Sequence, residues 1–305
     1  MREYLTKEDT VRFCRALGSP LRVDMLQYIY QHRGTSLIGL ADAMGVSRAA
    51  ITQNMRILTE ADLVEIKTVN GQREARRACY PKEDRFSISL GEHFNTANTY
   101  SCEIPIGQYT AYKAQPTCGI ASTAALIGTV DDPRYFDDPL RVTAGILWMG
   151  SGFVEYRFPN YLEEGQRPVE LYISFEISSE APGVAENWPS DLSFTLNGRP
   201  LCGWTSPGDF GQVPGLYTPD WWFPNWNQYG LLKLLCINAY GTYLDGLMVS
   251  PVTIQSLRLD EKSDLQFRIA APADAPHPGG LTLFGQGFGN YNQDIRVRMI
   301  YDTTK

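Results

Sequence analysis

The chain has 305 residues, enough for two or three separately cored domains, and carries a formal charge of −7. That charge would exclude a nucleic-acid surface only if it were evenly spread. Residues 1–85 hold 14 Lys and Arg against 11 Asp and Glu, a net of +3, while residues 86–305 hold 13 against 23, a net of −10; a mildly basic first part therefore precedes an acidic remainder that repels phosphate. Cys14, Cys79, Cys102, Cys118, Cys202 and Cys236 are widely spaced with no C-x-x-C pair, which excludes a dense disulfide framework and leaves reduced thiols as the expectation. The opening MREYLTKEDTVRF has no apolar signal core, and no run of about 18 apolar residues occurs, so a cytoplasmic protein without a membrane partner is expected.

In chain order, Thr6 with Asp9 three residues on reads as the start of a helix with Val11, Phe13, Cys14 and Leu17 as its apolar face. Gly18-Ser19-Pro20 stops it, and Ser19 as cap with Pro20 at the first position opens a second helix whose core stripe is Leu21, Met25, Leu26 and Ile29, ended by Gly34. A short helix with Leu37, Leu40, Ala41 and Met44 then turns at Gly45-Val46 into a longer one capped by Ser47. Two short helices crossing steeply need small residues where their backbones meet, here Ala41, Gly45 and Ala50. The longer helix buries Ala50, Ile51, Met55 and Leu58, which leaves Arg48, Ala49, Thr52, Gln53 and Arg56 on the opposite face. These are side-chain types that read base edges: Arg for guanine, Gln for adenine, Ala or Thr for the thymine methyl. Ser47 at the helix N-terminus suits a backbone phosphate.

Beyond Ala61-Asp62 the apolar period becomes two. LVEIKTV and QREARRACY flank Asn70-Gly71, a strong signal for a type I′ hairpin, and Lys67, Arg73, Arg76 and Arg77 make that hairpin basic. It reads as a wing lying along the DNA backbone. A winged helix-turn-helix over residues 1–83 binding a double-stranded DNA operator is the consistent reading, because helix spacing, turn, polar face and basic hairpin agree.

At these residues the chain resembles the ArsR-type winged-helix regulators: LGSPLRVDMLQYI is similar to the opening of that family's second helix, and LADAMGVSRAAITQNMRILTEADLV to its helix-turn-helix. The resemblance covers about residues 5–80. It implies a homodimer on a roughly palindromic operator, a first helix that contributes to the dimer contact, and repression relieved by an effector. Metal-sensing members carry thiolates where this chain has SLIGLADAM, so metal sensing there is not expected.

A linker is expected over residues 84–100, and residues 101–305 read as all-β. All six tryptophans lie beyond residue 85, among short Val-, Ile-, Tyr-, Phe- and Thr-rich runs separated by Gly, Pro, Asn and Asp. Candidate strands are RVTAGILWM, FVEYRFP, VELYISFEIS, DLSFTLNG, LLKLLCINA, VTIQSLRL, DLQFRIAA and DIRVRMIYD, with Asn197-Gly198 as a further turn. The fold class is therefore α+β multidomain: a winged helix-turn-helix followed by a β-sandwich or jelly-roll-like domain.

The loop from Gly203 to Gly230 sets Trp204, Tyr217, Trp221, Trp222 and Trp226 among Asp209, Asp220 and Asn227, and FGQGFGNYNQD adds Asn290 and Tyr291. A third loop, SSEAPGVAENWPSD, is expected at the same end. Flat aromatic faces mixed with amides and carboxylates suit a sugar ring, whose C–H bonds stack while its hydroxyls take directed partners. A carbohydrate-like effector is thus expected on these residues. The segments EAPG, NWPSD, WTSPGDFG, YTPDWW and GFGNYNQDI also resemble the β-rich C-terminal region of a group of ArsR-type regulators from Gram-positive bacteria, a resemblance that implies no ligand.

The alternatives are a protein-docking or oligomerisation module, with the tryptophans pinning loops, and a glycoside-active domain using Glu155 with Glu176 or Asp209 with Asp220. Sequence separation does not give the spatial separation such a pair requires and acidic residues are common here, so no enzyme activity is expected. His32, His93 and His277 are isolated, and no phosphate-cradling loop occurs, so no metal and no cofactor is expected.

Overall fold

The computed structural model describes residues 2–4, 7–70, 75–82, 86–88, 98–259 and 264–303. The chain divides into two compact units, Met1–Phe94 and Asn95–Lys305.

The first unit runs β1 (Arg2–Tyr4), α1 (Lys7–Leu17), α2 (Pro20–Gln31), β2 (Thr35–Ser36), α3 (Leu37–Met44), α4 (Arg48–Glu60), β3 (Val64–Asn70), β4 (Ala75–Pro81) and β5 (Phe86–Ile88). Its core joins Phe13 and Ala16 of α1, Met25, Leu26 and Ile29 of α2, Leu40 and Ala41 of α3, and Ile51, Met55 and Leu58 of α4. The α1 face differs from the expected one, since Val11 and Cys14 are exposed. Phe13, Ala16 and Leu17 recur at three and four residues and share a face that Val11 and Cys14 do not. Thr6, the expected cap, lies outside the described residues. Pro20 does open α2 after Ser19, although the Ser19 hydroxyl makes no capping bond.

Strands β2, β4 and β3 form a three-stranded sheet in that order. The ladder runs from Val64↔Pro81 to Asn70↔Ala75, so Asn70, expected in the turn, is paired in the ladder. The packed end decides the register, because Val64, Ala78 and Cys79 must all reach the core. The connection itself lies outside the described residues. A second pairing was not legible in sequence: β5, inside the stretch expected as a linker, runs parallel to β1, and the Phe86 ring meets Phe13 at 5.0 Å.

The second unit contains β6 (Thr99–Ile104), β7 (Ala111–Ser122), β8 (Ala144–Pro159), β9 (Gln166–Ser178), β10 (Ser190–Leu196), β11 (Arg199–Ser206), β12 (Leu231–Ile237), β13 (Thr242–Leu244), β14 (Leu247–Ser250), β15 (Asp264–Ala271), β16 (Leu281–Phe284) and β17 (Ile295–Thr303). They form one nearly closed sheet, because β8 and β9 change partners along their length. β8 pairs first with β16 and then with β15, keeping β7 on its other edge. β9 pairs with β17, then with β16, keeping β12 on its other edge. The strands β11-β10-β15-β8-β7 thereby face β6-β17-β9-β12-β13-β14, with β16 as the corner. Phe175 of β9 meets Phe194 of β10 at 5.3 Å and Phe267 of β15 at 5.7 Å across this core. Strict alternation of buried and half-exposed residues along β10 and β15 is what a sandwich face requires.

AGILWM and FVEYRFP prove to be one strand, β8, which runs through Gly150-Ser151-Gly152 where β7 shifts register opposite it, while the RVT before them closes a 3-10 helix, Pro139–Thr143. VTIQSLRL is not a strand. It carries a short 3-10 helix, Gln255–Leu257, where buried Ile254 and Leu257 recur at three residues and Ser256 Oγ donates to the Thr253 carbonyl at 2.7 Å. Asn197-Gly198 forms the expected hairpin between β10 and β11, with φ of 50° and 74°, the left-handed values a type I′ turn demands.

Candidate nucleic-acid interface and effector cleft

The helix-turn-helix is held by two caps and one arginine. Ser36 Oγ accepts from the Gly39 amide at 3.0 Å, α3 ends on Gly45 in the left-handed region at φ 65°, and Ser47 Oγ accepts from the Ala50 amide at 3.2 Å. Arg22 of α2 donates to the carbonyls of Ala16 at 2.5 Å and Arg15 at 2.7 Å, and to Asn54 Oδ1 of α4 at 3.2 Å. It thus ties the open end of α1 to α4.

Arg48, Ala49, Thr52, Gln53 and Arg56 are all exposed on α4. Thr52 Oγ1 donates back to the Arg48 carbonyl at 2.9 Å, and Arg56 lies 3.6 Å from Glu60. A groove beside this face is lined by Thr52, Gln53 and Arg56 of α4 and by Ile66 and Arg77 of the hairpin. On the hairpin, Lys67 pairs with Glu65 at 2.5 Å and Arg77 is exposed. Arg76 stands opposite Val69 in the ladder, and Arg73 lies outside the described residues. Among the described residues, no helix is long and apolar enough to cross a membrane.

In the second unit the three aromatic-polar loops meet at one end. The Asn290 side chain accepts from the Leu216 amide at 3.0 Å, the Tyr217 amide donates to Gly289 at 2.8 Å, and the Asp209 amide donates to Ala185 at 2.9 Å. Most of the expected ligand residues are used in making this junction. Trp222 is buried among Trp148, Trp226 and Phe288 with edge-on rings 5.1 to 5.8 Å apart. Trp221 donates its Nε1 hydrogen to Thr123 at 2.6 Å, Tyr291 is buried, and Tyr217 and Asp220 are exposed. Trp204 is not in the loop at all; it sits on β11 under Lys233, whose Nζ is 4.0 Å from the ring centre.

Of the expected residues, Trp226 and Asn227 line a cleft of about 150 Å³ together with Thr117, Asp131, Trp148 and Glu180. Glu180 is the residue that sequence reasoning missed. It is buried and accepts from Thr117 Oγ1 at 3.0 Å, Asn227 Nδ2 at 2.9 Å and Thr282 Oγ1 at 2.9 Å. Burial, reinforced by Asp209, holds its carboxyl well above the usual carboxylate range. Asp209 itself is fully buried, accepts one amide bond from Ala181 at 3.0 Å, and is pushed up by burial to about 7. Glu180 had a signal, a lone acid in SSEAPG; Trp148 looked like any core tryptophan, and Thr117 and Asp131 carried none.

Of the carboxylates considered for glycoside chemistry, Glu155 and Glu176 are each held by their own partners. Glu155 pairs with Arg268 at 2.9 Å, and Glu176 is buried accepting from the amides of Gly230, Asn290 and Tyr291 at 2.8 to 3.1 Å. Asp209 is buried where Asp220 is exposed.

A family model described as a helix-turn-helix domain matches residues 17–67. A protein of Methanocaldococcus jannaschii named as an uncharacterized HTH-type transcriptional regulator is 35% identical over 80 residues, 26% of this chain and 83% of the relative. Among solved structures, the insecticidal delta-endotoxin Cry8Ea1 of Bacillus thuringiensis matches with a TM-score of 0.25 and 9% identity, over 52% of this chain and 20% of its own. Dimeric latent PorU of Porphyromonas gingivalis matches with a TM-score of 0.26 and 12% identity, over 66% of this chain and 14% of its own. The chain spans about a fifth and about a seventh of the lengths of those two structures, and likeness this slight says nothing about the β unit. The match over the N-terminal unit is of another order, and through it the chain belongs to the helix-turn-helix-type transcriptional regulators.

Proposed function

We propose that the protein is a one-component repressor of the ArsR type. As a homodimer it reads a roughly palindromic operator, and its β unit binds a small, sugar-like effector. The observation that carries the DNA part is the α4 surface: Arg48, Ala49, Thr52, Gln53 and Arg56 are exposed together on the helix that Ser47 caps, while the apolar side of the same helix is buried. In this reading α4 enters the major groove and Lys67, Arg73, Arg76 and Arg77 follow the phosphates. The effector part is supported by the meeting of three aromatic loops at one end of the unit, where two of them, through Glu180 and through Trp226 and Asn227, line a cleft.

Selection of operator fragments followed by anisotropy titration tests the DNA reading. Arg48→Ala, Gln53→Ala and Arg56→Ala are each expected to lose about 1–3 kcal/mol of discrimination between operator and random duplex. Arg76→Ala is expected to weaken all duplexes alike and to flatten the salt dependence. If all four variants behaved alike, α4 would not be the reading element.

One observation favours a docking role for the β unit instead: Leu247, Met248 and Val249 are exposed on β14, which pairs only with β13 among the described strands. A thermal-shift screen of sugars and related small molecules separates the two. A ligand at a hundred times its Kd stabilises by about 2.7 kcal/mol, whereas a docking module responds to a protein partner alone.

A further inference from the structure

We infer that the cleft at Glu180 binds a small primary-ammonium compound, an amino sugar or short alkylamine, with its ammonium group set against Glu180 and the indoles of Trp148 and Trp226. The inference rests on the effector reading of the β unit and names the chemical class of that effector.

Hydrogen-bond supply carries the argument. The hydroxyl hydrogens of Thr117 and Thr282 and the Asn227 amide donate to Glu180, and Asn227 Nδ2 also donates to Thr282 Oγ1 at 2.8 Å. The hydroxyl and side-chain amide donors at the floor are therefore already engaged with one another. Carboxylate oxygens of Glu180 and Asp131 remain to meet a ligand, and Asp131 gives only its Oδ1 to the Cys118 amide, at 2.9 Å. A neutral sugar hydroxyl offers this floor a single donor, and an anion offers none. An ammonium group has three donors and no acceptor, which is the complement of this floor.

Charge points the same way. Among the described residues no Lys, Arg or His lines the cleft, and none forms an ion pair with Glu180. A buried carboxylate without a counter-charge is costly, so a bound cation supplies what the fold withholds. The field reaches beyond Glu180: the neighbouring Cys118 thiol is pushed up to about 12, by burial first and then by Asp131, Asp132 and Glu180. Trp148 and Trp226 add ring electrons that attract a cation within about 6 Å. The volume of about 150 Å³ is that of a cavity holding a ring of about six heavy atoms. It admits an ammonium group with its first carbons and leaves the rest of a sugar ring at the mouth.

The test uses the full chain and matched pairs that differ in one functional group: glucosamine with glucose, ethanolamine with ethylene glycol, putrescine with butanediol. Binding is followed by calorimetry and by tryptophan fluorescence. At least one amine is expected to bind, with its neutral counterpart at least about tenfold weaker. Glu180→Gln is expected to weaken the amine about tenfold or more while its melting transition stays cooperative, and Trp226→Leu, a change at the half-exposed ring, provides the second variant. Equal binding of amine and alcohol overturns the inference, as does a Glu180→Gln variant with parental affinity or the failure of every amine at about 10 mM. An amine that binds through Glu180 but leaves operator affinity unchanged keeps the site and removes the effector reading. An operator response to glucose but to no amine does the reverse.

Discussion

Three buried acids at the loop end of the β unit show how far neighbours decide what a carboxyl does. Glu176 receives backbone amides from two loops and so locks both to β9. Glu180 receives side-chain donors and faces a cleft. Asp209 receives a single amide on Oδ2, its Oδ1 is buried without a partner, and burial pushes the group up to about 7. A carboxyl whose folded value lies above its unfolded one binds its proton more tightly when folded. Its stabilising contribution is complete below about pH 4 and is lost as pH rises through about 7. Asp209→Asn is therefore expected to match the parent in melts near pH 4 and to exceed it by about 4 kcal/mol at pH 8, at about 1.4 kcal/mol for each pH unit between the usual and the raised value. A stability difference that is the same at both pH values would show that Asp209 is not strained by its charge.

At the scale of elements, the geometry of the helix-turn-helix depends on groups that never touch its exposed face. Ser47→Ala removes the cap that satisfies the Ala50 amide and is expected to cost about 1 kcal/mol. Arg22→Ala is expected to cost more, about 2–3 kcal/mol, because it frees the carbonyls of Arg15 and Ala16 and breaks the tie to Asn54 together. Urea unfolding of the two variants measures both, and an Arg22→Ala cost no larger than that of Ser47→Ala would deny that arginine its joining role. The strands show the opposite dependence on context. DLQFRIAA is legible as β15 because its alternation is local, and β10 and β11 because Asn197-Gly198 dictates their turn. β16 has four residues, all buried, between Gly280 and Gly285; only its two neighbours, β8 and β9, make it a strand.

For the whole molecule, the proposed coupling between the effector cleft and the winged helix has a thermodynamic consequence. If an amine lowers operator affinity by some factor, operator DNA must lower amine affinity by the same factor. Titrating the amine with and without saturating operator is expected to return equal factors, of about 5 to 150 for an ordinary allosteric protein. Unequal factors would place the amine's effect outside a binding linkage. The same dependence on assembly governs the cleft itself, whose residues come from β7, the loop after β7, β8, the loop after β9 and the loop before β12.

The amino-acid sequence by itself determined the winged helix-turn-helix, since caps, glycine turns and a 3.6-residue apolar period act within a few residues of one another. It also determined the all-β character of the remainder and the aromatic and polar make-up of its loops. Which aromatics face a cleft, and that Glu180 stands at its floor, was decided by tertiary structure alone. Trp222 and Trp226 lie four residues apart with similar local surroundings, yet one is closed in by Phe288 and Trp148 while the other stays half-open beside Glu180. The difference comes from residues more than 40 positions away in the chain, and no local pattern carries such information.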